Sequence, residues 1–283
     1  MHRTLRWAAA TLAMLSTACT SDPTGAPPRA GPQVGATERP DVKATIITCA
    51  ATLMTDLRLE SDLVCPGDAI FVGADDISID LNGHTISGAG AGVGITVRSR
   101  QRVAIRGGLV RGFVTGIFVT SSSDIVISHN ALTQNREAIF LAGSSSNVVK
   151  NNIAWENQLR GIMIRPTGAG ALSTDNFVVE NVLLDNPSGI LLFGQPGNTL
   201  TANRISGSSV AAIDLTGGGA SGNVVRGNRL SEGAAGIKFG PGWTGNDFFG
   251  NTIAENVCGT QGNATGNTLQ GNNFLRNIAD TCP

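Results

Sequence analysis

This chain contains no tyrosine, and aromatic residues make up only 5% of its 283 positions. A core built around large rings is excluded, so aliphatic side chains must supply the buried surface. Charge is scarce as well: 14% of residues are Asp, Glu, Lys or Arg, and 20 basic against 21 acidic residues leave a net charge of -1. Mixed along the chain, these charges exclude the basic footprint that nucleic acid or an anionic membrane surface would need. Five cysteines and three histidines show none of the clustered spacing that a metal site requires. What the chain has in excess is glycine, at 37 residues, well above the usual share of about 7%. It turns often and buries aliphatic residues.

The first 18 residues place Arg3 and Arg6 before an apolar run from Trp7 to Leu15, followed by small residues. That order predicts a secretory signal peptide over 1–18. The run is far shorter than the roughly 20 apolar residues of a membrane-spanning helix. Residues 19–44 lack apolar periodicity and are rich in Pro, Gly and Thr, the composition of a flexible tether. The segment "LSTAC" ending at Cys19 resembles a bacterial lipoprotein signal. It implies an N-terminal lipid anchor on Cys19, with plain cleavage after Ala18 as the alternative.

At 283 residues one large or two modest domains would fit, and an internal repeat decides for one. The segments "GITV" at Gly94, "GIFV" at Gly116, "AIFL" at Ala138, "GIMI" at Gly161, "GILL" at Gly189, "AIDL" at Ala212 and "GIKF" at Gly236 recur at intervals of 22, 22, 23, 28, 23 and 24 residues. In phase with them, Asn147, Asn176, Asn198, Asn223, Asn246 and Asn267 each stand five residues before Asn152, Asn181, Asn203, Asn228, Asn251 and Asn272. The first coil of that series admits a second register through Asn151. A leucine-rich repeat is excluded because its leucine and asparagine spacing and helical arc are missing. Each unit reads instead as three short alternating strands separated by Gly, Asn and Ser.

Parallel strands stacked about 4.8 Å apart would bring each inward residue against its equivalent in the next coil. Ile95, Ile117, Ile139, Ile162, Ile190, Ile213 and Ile237 form one expected inward stack. Val97, Val119, Leu141, Ile164, Leu192, Leu215 and Phe239 stand beside it. The asparagines are expected at bends, taking left-handed backbone angles and bonding from coil to coil. Cys258 and Cys282, one repeat apart, fall within disulfide reach on neighbouring coils. Cys49 and Cys65 are expected to pair at the N-terminal end, and lipidation of Cys19 would account for the odd cysteine.

This pattern of Gly-Ile strand, Val strand, Asn bend and Ile strand resembles the right-handed parallel β-helix of the pectate-lyase-like superfamily. It is similar to that superfamily's carbohydrate-binding and sugar-hydrolase repeats, found in many exported bacterial proteins. The resemblance covers roughly residues 66–280 and implies an all-β solenoid over 45–283, with coils of about 22–28 residues. "CPGDAIFVGADDISIDLNGHTISG" at 65–88 also looks like the first coils of secreted bacterial β-helix proteins. In the family's polysaccharide lyases, acidic residues hold calcium and an Arg or Lys removes a proton on the outer face of one sheet.

The outward column of the corresponding strands reads Thr96, Phe118, Phe140, Met163, Leu191, Asp214 and Lys238. With Phe193 it predicts an exposed apolar stripe. Such a stripe marks something that covers it: a loop or terminus of the chain, a sugar, a hydrophobic ligand or a partner subunit. Glu156 and Asp185 occupy equivalent turns on consecutive coils. Glu137 stacks on Arg160, and Arg165 should project beyond Met163. Acids beside guanidiniums can hold a calcium ion and a uronate, with Arg160 or Arg165 as base in β-elimination. The same groups read equally as a solvated ladder of ion pairs, and Glu232 and Glu255 stack in the same way. The long unit through "RPTGAGALSTDN" at 165–176 predicts a loop beside the patch.

The family's catalytic motifs are missing. "IRP" at 164–166 is isolated, "DPHD" of the alginate epimerases does not occur, and the polygalacturonase signatures are absent. "DLNGH" at 80–84 reads as a structural turn around Gly83, and His129 as a bend residue. Few histidines and methionines argue against a copper store like the periplasmic β-helix proteins of nitrous-oxide-reductase maturation. The sequence therefore predicts a monomeric envelope protein that binds an extended polysaccharide or surface polymer and touches the membrane only through a lipid on Cys19. The alternative is a lyase or epimerase of uronic-acid polymers.

Overall fold

The computed structural model describes residues 47–283; the expected leader, the tether and Cys19 lie outside the described residues. Thirty-one short strands run from Ala51–Leu53 to Ala279–Cys282, with no helix among the described residues. They form three parallel sheets of 11, 10 and 10 strands, in which every third strand of the chain is a neighbour. The chain is thus a β-helix with three strands per coil, as the repeat predicts.

The two inward columns of the first sheet align as expected. Ile117 pairs with Ile95 and Ile139, Ile162 with Ile139 and Ile190, and Ile213 with Ile237. All seven isoleucines are 0% exposed, and Phe239, at 5%, is the most exposed residue of the second column. Two further aliphatic stacks, passing through Ile127 in the second sheet and Leu132 in the third, complete the core. No coil alone has a second layer to bury these faces against, which is why the strands form only as a stack.

The bends carry three asparagine ladders rather than two. The third runs Asn135, Asn157 and Asn186, breaks at Ser208 and Gly233, and resumes at Asn256 and Asn277. In each ladder a side-chain oxygen accepts the backbone N–H of the preceding coil, and the amide donates to a carbonyl there. The register of the first coil runs through Asn147 and Asn152.

The expected left-handed angles belong to other residues. The residue before each ladder position takes them, as at His129, Asn151, Glu180 and Ala202. The ladder asparagines themselves turn inward, and Asn152, Asn181 and Asn203 are at most 1% exposed. A fourth ladder, not foreseen, links Ser122, Ser144 and Ser173 to Gln195 at the first bend.

Both expected disulfides are present, Cys49–Cys65 and Cys258–Cys282. The second ties the last coil to the one before it, since Cys258 pairs in register with Ala279. Closing a loop of this size stabilises by about 3 kcal/mol in the chain-entropy account. In a Cys258→Ser, Cys282→Ser double variant, hydrogen exchange at the Ile278 and Ala279 amides, which donate to Asn256 and Val257, should accelerate at least about tenfold. Exchange around Ile162 should stay unchanged; equal acceleration in both regions would show that the bridge does not act locally.

Candidate functional site

On strands Thr115–Thr120, Glu137–Ala142, Arg160–Arg165 and Ser188–Phe193, alternation sends every second side chain outward. Phe118, Phe140, Met163 and Leu191 follow one another in register. The Phe118 and Phe140 rings lie with centroids 5.0 Å apart and planes at 49°, close to one coil spacing. Both are partly exposed, and Phe193 is 43% exposed.

Met163 and Leu191, however, are only 5% and 3% exposed, so the expected exposed stripe is interrupted. Long side chains one coil apart shield each other's flanks, and Met163 has such neighbours on both sides, Phe140 and Leu191. The column then turns polar at Asp214, which is 6% exposed. One of its oxygens accepts from Ser188 Oγ at 3.2 Å, while Oδ1 has no partner. Asp214 is marked in the sequence as the one acid of its outward column.

The leading edge of the face is an ion pair: Arg160 Nη1 lies 2.8 Å from Glu137 Oε1, with both side chains mostly buried. At the trailing edge the Arg165 guanidinium stands 5.8 Å from the centroid of the Phe140 ring. Its Nε donates to the Pro166 carbonyl at 3.3 Å. The 165–176 segment does form a bordering loop, tightened by the Thr167 N–H donating to the Ala171 carbonyl at 2.9 Å.

Glu156 and Asp185 stand elsewhere, exposed on the ridge of the third bend with φ of 50° and 53°. The ridge continues through Gly207, Glu232 and Glu255 to Arg276, which pairs with Glu255. Arg165 is five residues beyond Arg160, which at about 3.3 Å per strand residue puts it roughly 16 Å from that edge. The structure therefore joins Phe118 to Phe140 and Arg165, joins Glu137 to Arg160, and leaves Glu156 and Asp185 apart from Arg165. Among the described residues no three His, Cys, Asp or Glu side chains gather as a metal site would require.

The two sites read as structural are so. Asp80 Oδ1 accepts the Asn82 N–H at 2.9 Å, and Gly83 takes a φ of 81°. His129 is an exposed bend residue with a φ of 56°.

A family model described as right handed beta helix region matches residues 68–220. That is more than half of the chain, and the chain belongs to this family. A second model, periplasmic copper-binding protein (NosD), matches residues 169–281. No curated protein matches the chain.

Among solved structures, the periplasmic alginate epimerase AlgG is similar at 14% identity and a TM-score of 0.61, over 81% of this chain and 61% of that one. The chain thus spans about three fifths of that relative's length. The A-module of Azotobacter vinelandii mannuronan C-5 epimerase AlgE4 is similar at 15% identity and a TM-score of 0.57, over 80% of this chain and 78% of the module. The catalytic domain of a GH87 alpha-1,3-glucanase is similar at 14% identity and a TM-score of 0.58, over 83% and 59%. At such identities the likeness is one of fold.

Proposed function

We propose that this is an exported cell-envelope protein that holds an extended polysaccharide or similar surface polymer along the outer face of its first sheet. The observation that carries this reading is the Phe118–Phe140 pair, with Arg165 stacked on Phe140 and the Glu137–Arg160 pair along the other edge. The apolar face of a sugar ring stacks on such rings, and flanking charged groups bond its hydroxyls. The expected leader and the two disulfides fit an oxidising compartment outside the cytosol. Three solved relatives of the same fold are named for acting on alginate, mannuronan or glucan. The protein acts as a monomer, and a lipid on Cys19 would hold it at the membrane.

The rival reading is a lyase or epimerase of uronic polymers. It rests on Arg165, whose guanidinium has no carboxylate partner among the described residues. The acids expected to hold calcium do not gather beside it, so this reading stands on the arginine alone.

Calorimetric titration of the full chain with alginate, pectate and neutral glycans, with and without calcium, separates the two. Binding without turnover, weakened about tenfold in Phe140→Ala, supports the polymer-holding face. Calcium-dependent ultraviolet absorbance of an unsaturated product, abolished in Arg165→Ala, would replace it with elimination. Affinity unchanged in both Phe118→Ala and Phe140→Ala would remove this face from consideration.

A further inference from the structure

Outside the first sheet, the chain places a tryptophan on the outer face of the third. Trp155 ends the strand Ile153–Trp155. Alternation turns Ala154 into the core at 0% exposure and leaves Ile153 47% exposed, with the indole partly exposed beside it. The interior does not need this ring, and in a chain with 5% aromatics its position calls for a reason.

In register with Trp155 stand Thr133 on one side and Leu184 on the other, and Val182 follows Ile153. Ile153, Trp155, Val182 and Leu184 make a flat apolar platform two coils long. Two acids give it a polar rim. Glu156 and Asp185, which directly follow Trp155 and Leu184, are exposed in left-handed bends. Neither carboxylate has a hydrogen bond or ion pair among the described residues.

We infer that this platform is a second glycan-binding surface, selective for a neutral hexopyranose chain. The C–H face of a pyranose lies on the indole, as sugars do on exposed aromatic rings. Its hydroxyls donate to the Glu156 and Asp185 carboxylates. Two unpaired carboxylates beside the ring accept hydroxyl protons and repel uronates, which sets this chemistry against that of a pectate or alginate site. Arg111, one coil beyond Thr133, adds a donor at the far end. The surface is on a different sheet from the Phe118–Phe140 face and does not depend on it.

The test titrates the full chain with cellohexaose, maltohexaose, mannohexaose, pectate and alginate, following tryptophan emission and heat. Trp243 is buried at 1% exposure, so a ligand-linked change in emission among the described residues belongs to Trp155. A neutral hexasaccharide should change the emission. Its affinity should fall at least about tenfold in Trp155→Ala and at least about threefold in Glu156→Gln, with Trp155→Phe retaining most of it. Phe249→Ala, which removes an exposed ring on the second sheet, should leave this binding within about twofold, and unchanged thermal melts of the variants would show that folding is not the cause. Neutral-glycan binding lost in Phe140→Ala but kept in Trp155→Ala would overturn the inference while leaving the first-sheet reading in place. Emission that responds only to the uronic polymers would overturn its chemistry. Silence across the panel would overturn both.

Discussion

Replacing Asn203 with alanine should destabilise the protein by about 3 kcal/mol or more, although the side chain touches no ligand surface. Its oxygen accepts the backbone N–H and the amide of Asn181, each at 3.0 Å, and its own amide donates to the Val178 carbonyl at 2.8 Å and to Asn228 at 3.0 Å. Alanine removes all four at 1% exposure and strands donors and an acceptor where water cannot readily replace them. Such groups cost about 1–3 kcal/mol each.

Because a solenoid is stabilised coil by coil, the loss should appear first as faster exchange of the Asn181 and Asn203 amides, ahead of any change at Cys258. Asn273→Ala, at an exposed position on the last coil, should cost less than about 0.5 kcal/mol. Equal losses in the two variants, measured by urea unfolding, would show that the ladder is not a source of stability.

Phe248→Ala should cost about 3–5 kcal/mol. Phe248 is 0% exposed, pairs in register between Val225 and Leu269, and meets Phe239 edge to face with centroids 5.1 Å apart. Elsewhere the interior stacks are mostly aliphatic, and no neighbouring side chain is free to fill the space the ring leaves. The cavity opens two coils from the end of the chain, where Leu269 is already 39% exposed. The last coils should therefore open before the rest: Thr268 and Asn273, whose amides donate to Asn246 and Asn251, would lose protection while Ile117 and Ile139 keep theirs. A single cooperative transition with an unchanged midpoint would contradict this.

Most of the architecture was legible because a stacked solenoid writes its contacts as columns. The Gly-Ile segments revealed the inward isoleucine stack, since each residue's partner is its own equivalent one unit later. The long unit at 165–176 was visible as an insertion, and the loop stands where the spacing put it. The third asparagine ladder is not legible in the sequence because Ser208 and Gly233 interrupt its pattern. The backbone role of the asparagines is hidden for a related reason. Their inward orientation depends on carbonyls presented by neighbouring coils, while the left-handed angle passes to residues as varied as His129, Glu180 and Ala202.

The candidate site was less legible. Glu137 and Arg160 are adjacent in the repeat, and they pair. Glu156 and Arg165 are also close in sequence, yet a strand separates the ridge bearing one from the edge bearing the other. Trp155 carried no signal, because a lone tryptophan in an apolar strand reads as core until the phase of its alternation is known.

By itself, the sequence determined the solenoid, its three strands per coil, its inward aliphatic columns and the Cys258–Cys282 pair, all of which follow from periodicity and spacing. Only the tertiary structure decided which outward side chains meet. A bend carries the chain from one sheet to the next within a few residues, so neighbours in sequence end on different faces, and residues a full coil apart come to share one.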